Sequence, residues 1–212
     1  MRSIRTFWAA LVVVSILFGV YLMISLSLPY AHIAPGIDFL LTKTFVYHLF
    51  HWRISFYIHV FTSTLVLVAG LLQFITRYRL LHRFSGYVYS IVVLLLSGPT
   101  GLVMAFYANG GTPARVSFVL LSVLWLGTTV VAMWHVYKRQ WQAHAHFMLR
   151  SYALALSALT LRAYAFLIGY WDIDIRPATA YILIAWLSWT LNLLLAEVLI
   201  RQGWIARLKS HS

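Results

Sequence analysis

Six stretches of this chain run for about 20 residues each with almost no charge, near residues 7–28, 54–76, 86–107, 116–137, 147–170 and 177–200. A helix of about 20 apolar residues covers the ~30 Å hydrocarbon core of a bilayer. Only 9% of the chain is charged and 62% is hydrophobic, whereas soluble domains carry about 25% charge. Such a chain cannot cover itself with polar surface and needs lipid as solvent. The expected fold is therefore all-α, a polytopic bundle of six transmembrane helices. Spans 2–5 are expected to form a four-helix core, within a single membrane domain over 1–212. The first run follows Arg2 and Arg5. It exceeds the ~7–15 apolar residues of a signal peptide and reads as a retained anchor.

The charges that remain are lopsided, 16 Lys+Arg against 4 Asp+Glu. In a soluble protein this would suggest nucleic acid; membrane topology accounts for it here, and no nucleic-acid partner is expected. Arg2, Arg5, Arg77, Arg79, Arg83, Lys138, Arg139, Arg150, Arg201, Arg207 and Lys209 fall on one side of the spans. Only Lys43, Arg53, Arg115 and Arg176 fall on the other. The positive-inside rule then puts both termini in the cytoplasm. Anionic lipid head groups are expected partners of the basic side. With no cysteine in the chain, disulfides, thiolate catalysis and iron–sulfur clusters are excluded, and histidine is left as the main soft ligand.

Several spans carry stripes of small and polar residues at helical spacing: His59, Ser63, Gly70 and Gln73 in span 2, and Gly86, Ser90, Ser97 and Gly101 in span 3. Such stripes mark helix–helix contact. The run Ser97-Gly98-Pro99-Thr100-Gly101 predicts a kink. The run Phe45–Trp52 predicts a short interfacial helix before span 2. In span 5, Arg162 shares a face with Ser151, Ala155, Ala158, Ala165 and Gly169, so it is expected to point into the bundle. It lies about 24 Å along the helix from His146, at roughly the depth of His59. Two polar layers result. The inner one holds His82, Arg83, His135, His144, His146 and Arg150; the outer one holds His59 and Arg162, with Tyr57, Tyr164, His48 and His51 as further candidates. Glu197, near the inner end of span 6, is expected to snorkel or to pair with Arg201 one turn on.

Two segments, Leu81-His-Arg-Phe-Ser-Gly-Tyr-Val-Tyr89 and His146-Phe-Met-Leu-Arg-Ser-Tyr-Ala-Leu154, followed by Leu159-Thr-Leu-Arg162, resemble an uncharacterised bacterial membrane family. It is catalogued as domain of unknown function 2306. Gly70-Leu-Leu-Gln-Phe74 and the Ala108-Asn-Gly-Gly111 turn fit the same pattern, so the likeness covers about 55–165. The resemblance implies a multi-pass protein, placed in the bacterial inner membrane, and singles out His59, His82, Arg83, His146, Arg150 and Arg162. It implies no established activity.

The residues suggest two classes of function. The first is electron transfer through a quinone or at most one haem b, with a membrane redox protein as partner. His82 and His146 would be the axial ligands, His135 a substitute, and Arg83, Arg150 or Arg162 partners of the propionates. A quinone would sit near His59 and Arg162, its carbonyls accepting hydrogen bonds and a histidine exchanging protons. The second is a non-redox accessory, assembly or small-ligand transport subunit, with Arg162 a structural cation or one neutralised by a second subunit. A metal site at His144 and His146 is the minor third reading.

Overall fold

The computed structural model describes residues 2–34, 36–76 and 78–203, with the side chains of residues 2–9 and Asp38 undescribed. Arg77, Arg207 and Lys209, counted above among the inner cations, lie outside the described residues, as do the side chains of Arg2 and Arg5. Six helices are long and apolar enough to cross a membrane. They are α1 (Arg2–Ser27), α2 (Phe50–Ile75), α3 (Arg79–Ala105), α4 (Gly111–Tyr137), α5 (Trp141–Tyr170) and α6 (Pro177–Arg201). No strand occurs among the described residues. Helices α2–α5 pack in sequence around a common core, as expected. Helix α1 leans on α2, and α6 lies against α4 and α5.

Polar side chains at mid-depth lock the core. The hydroxyls of Tyr89 and Ser151 share a hydrogen bond of 2.7 Å, and Ser151 shares another of 2.7 Å with Thr129. The Trp125 indole N–H donates to the Tyr89 oxygen at 3.3 Å. The Tyr152 hydroxyl donates to the Leu67 carbonyl at 3.0 Å. Tyr89, Ser151 and Thr129 are fully buried, where an unpaired hydroxyl would cost about 1–3 kcal/mol. Three of these residues belong to the two quoted motifs, so the motifs form a fastening between helices as well as two clusters of cations.

Two spans are interrupted. In α3 the turn Val93–Ser97 widens to a π-turn, with the Gly98 N–H reaching the Val93 carbonyl. The cause lies two residues further on, where Pro99 brings no N–H to the ladder. This is the kink expected from Ser97–Gly101. The break in α5 at Leu156 has no proline to announce it. An inner half, Trp141–Ala155, and an outer half, Ser157–Tyr170, meet there. Asn192 of α6 donates to the Ala153 carbonyl at 3.1 Å and to the Thr160 hydroxyl at 3.2 Å, while Thr160 donates to the Ser188 carbonyl at 2.8 Å. These bonds supply partners for backbone that the break disturbs. The inner half packs on α4, α6 and α2. The outer half turns to α6 and α1 and has few contacts with α3 or α4.

The outer loop folds back over the ends of α2 and α3. Its 3-10 turns Leu28–His32 and Asp38–Lys43 and the short helix Thr44–Tyr47 close over a cluster of Tyr30, Leu40, Trp52 and Phe56. The expected interfacial helix over 45–52 is corrected here. It ends at Tyr47, and α2 begins at Phe50, four residues earlier than predicted, because Trp52 and Phe56 stack at 5.5 Å beneath the loop. Lys43, which sequence reading left as an ordinary outer cation, is buried. Its ammonium donates to the Tyr107 carbonyl at 2.5 Å and to the Asn109 side-chain oxygen at 2.6 Å, tying the loop to the α3–α4 turn.

Burial, with the Arg115 charge nearby, pushes the Lys43 ammonium down from 10.5 to about 8. Between those two values the unfolded chain binds more protons than the folded one, so stability rises with pH there. The wild type is therefore expected to gain thermal stability relative to Lys43→Met as pH rises from 8 toward 10.5. Parallel melting curves in detergent at pH 7.5 and pH 10 measure this; a constant difference would refute it.

Candidate functional site

At the outer layer, one ring nitrogen of His59 (Nδ1) lies 2.8 Å from the Ser97 carbonyl, at the end of the widened turn in α3. A carbonyl only accepts, so Nδ1 carries a proton and the Nε2 face is left for other partners. The ring fits because Gly101 has no side chain. A Cβ there would meet the imidazole at 2.9 Å. Thr62, one turn on from His59, shares a hydrogen bond of 2.7 Å with the Ser97 hydroxyl. Glycine, π-turn and histidine thus form one unit, with the imidazole held by backbone.

Arg162 stands on the outer half of α5, beyond the break. One of its terminal N–H groups donates to the Ala158 carbonyl at 3.0 Å, one turn back on its own helix. Its charge acts on His59, and among the described residues Tyr30 and Tyr181 are titratable groups that act on it. Its side chain is exposed. Outer α5 here has few contacts with α3 or α4. Tyr30 belongs to the loop cluster, and the Tyr181 ring rests against the Gly110 turn. The expectation that Arg162 points into the bundle is corrected: its side chain is exposed, on a half-helix that packs on α6 and α1 rather than among α2–α4.

The inner layer is dispersed. His82 is exposed, with Nδ1 3.2 Å from the Gln73 carbonyl. Arg83 beside it is exposed as well. His135 pairs with Gln140 at 2.6 Å and stacks on Phe147. His144 reaches the Ala132 carbonyl at 3.0 Å, and His146 lies half-buried near the start of α5. Arg150 makes two hydrogen bonds with Glu197, at 2.5 and 3.0 Å, and lies over the Phe147 ring. Glu197 therefore pairs with Arg150 across α5 and α6, and the expected pairing with Arg201 is corrected. Two oxygens opposite a planar guanidinium give the better geometry, and it ties the two helices together. No group of three His, Asp or Glu side chains suited to a metal occurs among the described residues. A porphyrin ring between His82 and His146 would have to stay at the inner rim, since Tyr89, Ser151 and Tyr152 close the α3–α5 space further in.

Sequence reading missed the mid-depth network, the break in α5, Asn192, Tyr30 and Tyr181. Asn192 alone left a signal, as a lone amide in an otherwise apolar span.

A family described as "predicted membrane protein (DUF2306)" matches residues 56–200. The chain belongs to that family. The match runs through α6, beyond the stretch that carried the resemblance, and so includes the Arg150–Glu197 pair and Asn192. No curated protein matches the chain, and no solved structure matches it.

Proposed function

We propose that this integral membrane protein takes part in electron transfer and binds a quinone head group between His59 and Arg162. What supports this reading is that the Arg162 charge acts on His59, with one ring nitrogen of His59 held by backbone and Arg162 donating a hydrogen bond one turn back on its own helix. A bound quinone supplies reversible two-electron, two-proton chemistry. Arg162 would orient a carbonyl oxygen with its remaining N–H donors. His59 would hold or release a proton at Nε2, its tautomer set by Ser97. The aromatic loop cluster would keep outer water from the site. The charge bias supports a bacterial inner-membrane setting with both termini in the cytoplasm.

A haem b at the inner rim, on His82 and His146, is the second form of the redox reading. The contact between His82 Nδ1 and the Gln73 carbonyl favours it, because metal-bound histidines commonly donate their second ring N–H to backbone. One preparation separates the forms. Protein in lipid nanodiscs is expected to bind short-chain ubiquinone saturably and to release isoprenoid quinone on solvent extraction. A Soret band shifting on dithionite would mark the haem form. Neither quinone nor a haem band, in protein from haem-sufficient cells, would overturn both.

A further inference from the structure

We infer that the outer connection between α1 and α2 is seated in the outer leaflet, with phospholipid as the partner of its exposed edge, Leu41, Phe45 and Phe50. The inference is independent of what binds between His59 and Arg162.

The argument is one of polarity. A loop facing water turns its cations outward and its large apolar side chains inward. This loop does the reverse. Between Leu41 and Phe50 the one permanently charged side chain is Lys43. It is buried, its ammonium donating to the Tyr107 carbonyl and the Asn109 side chain. Phe45, two residues on, is 89% exposed, and Leu41 and Phe50 are exposed as well. The loop already has an inward apolar face, since Leu40 and Val46 pack in the cluster with Trp52 and Phe56. Leu41 and Phe45 therefore belong to a second apolar face, and exposed apolar surface of this kind marks an interaction site.

Depth and continuity commit the partner to lipid. Helix α2 has 26 residues, so it is about 39 Å long against a hydrocarbon core of about 30 Å, and about three residues at each end lie outside that core. Phe56 and Tyr57 stand in the second turn of α2, below that margin. Yet the Tyr47 hydroxyl meets the Tyr57 hydroxyl at 3.1 Å, and Phe39 stacks on Phe56 at 6.0 Å. The loop thus runs beside the outer turns of α2, at membrane level, as well as over its end. Phe50 opens the exposed stripe of α2, followed by Ile54, Phe61, Leu65 and Val68. At 3.6 residues per turn these five fall within about 60° of arc, the lipid-facing side of a span. The short helix that carries Phe45 packs against α2, so the exposed edge of the loop borders a surface that lipid already covers. An apolar edge beside head groups is the placement of an interfacial helix.

The chain has no cysteine, so a spin label on one introduced cysteine reports a single position. Labels are placed at Phe45→Cys and Leu41→Cys in the full chain, in phosphatidylcholine nanodiscs. Leu65→Cys on the lipid-facing stripe and Asp174→Cys in the exposed α5–α6 turn are the references. Collision with oxygen, which concentrates in lipid, is compared with collision with a neutral nickel chelate, which stays in water. The oxygen-to-nickel ratio at Phe45→Cys is expected to fall closer to that at Leu65→Cys than to that at Asp174→Cys. A ratio closer to that at Asp174→Cys overturns the inference and places the loop in water. Exclusion of both probes overturns it as well and marks a covering protein chain. Phe45 is so exposed that replacing it removes little packing; should that variant still fail to fold, Leu41→Cys decides by the same comparison. Each of these outcomes leaves the quinone reading where it stands.

Discussion

Gly70→Ala is expected to destabilise the bundle by about 1–3 kcal/mol or more, the cost of forcing a methyl into a packed core. A Cβ on Gly70 would meet two Tyr152 ring carbons at 2.3 Å and Tyr89 at 3.1 Å. Neither ring can retreat. Tyr152 is 4% exposed, and its hydroxyl is tied to the Leu67 carbonyl, one turn from Gly70 on the same helix. Tyr89 is fully buried and bonded to Ser151 and Trp125. Relief therefore requires α2 to move off α3 and α5, and that would break the mid-depth network. Gly127→Ala is the matched control, since a Cβ there meets nothing within 4 Å. Alanine suits a helix interior better than glycine, so that variant should be neutral or slightly stabilised. Unfolding by a graded detergent mixture reads both. Equal tolerance at the two positions would refute the packing argument.

The contrast between these glycines shows how far residues alone could be read. Span number, the four-helix core and the kink near Pro99 were all legible, because each follows from a local property: apolar length, small-residue stripes and a missing N–H. Helical rise was enough to group His59 with Arg162, and the Arg162 charge does act on His59. The partners of these groups were not legible. Gly70 and Gly127 look alike in sequence, and only the packing of Tyr152 tells them apart. Glu197 has Arg201 one turn away, yet it bonds Arg150 on another helix. The break at Leu156 has no proline, and the groups that satisfy it come from α6. Lys43 looked like a loop cation until the loop folded back onto Tyr107 and Asn109. Each miss concerns a contact between segments distant in sequence, which periodicity does not encode.

His59→Phe is expected to lower affinity for short-chain ubiquinone by about ten- to a hundredfold, the loss of one to two kcal/mol or more that removing a well-placed hydrogen-bonding group entails. Phenylalanine keeps a flat ring for the Gly101 notch and removes both nitrogens. The Ser97 carbonyl then loses its 2.8 Å partner, but Thr100 still faces it at 3.3 Å, so folding should suffer little. That asymmetry separates a ligand-facing role from a structural one. If His59 only braces α2 against the π-turn, the variant should melt earlier and bind unchanged. If Nε2 meets the ligand, binding should fall while the melting temperature holds. Gly101→Ala provides the complementary case. Its methyl would meet the imidazole at 2.9 Å and displace it without changing any group able to touch a ligand. It should weaken binding in the same direction and less severely, and its defect should shrink in the His59→Phe background, where no nitrogen remains to be misplaced. Independent, additive losses would mean that Gly101 acts on the site through something other than the placement of His59.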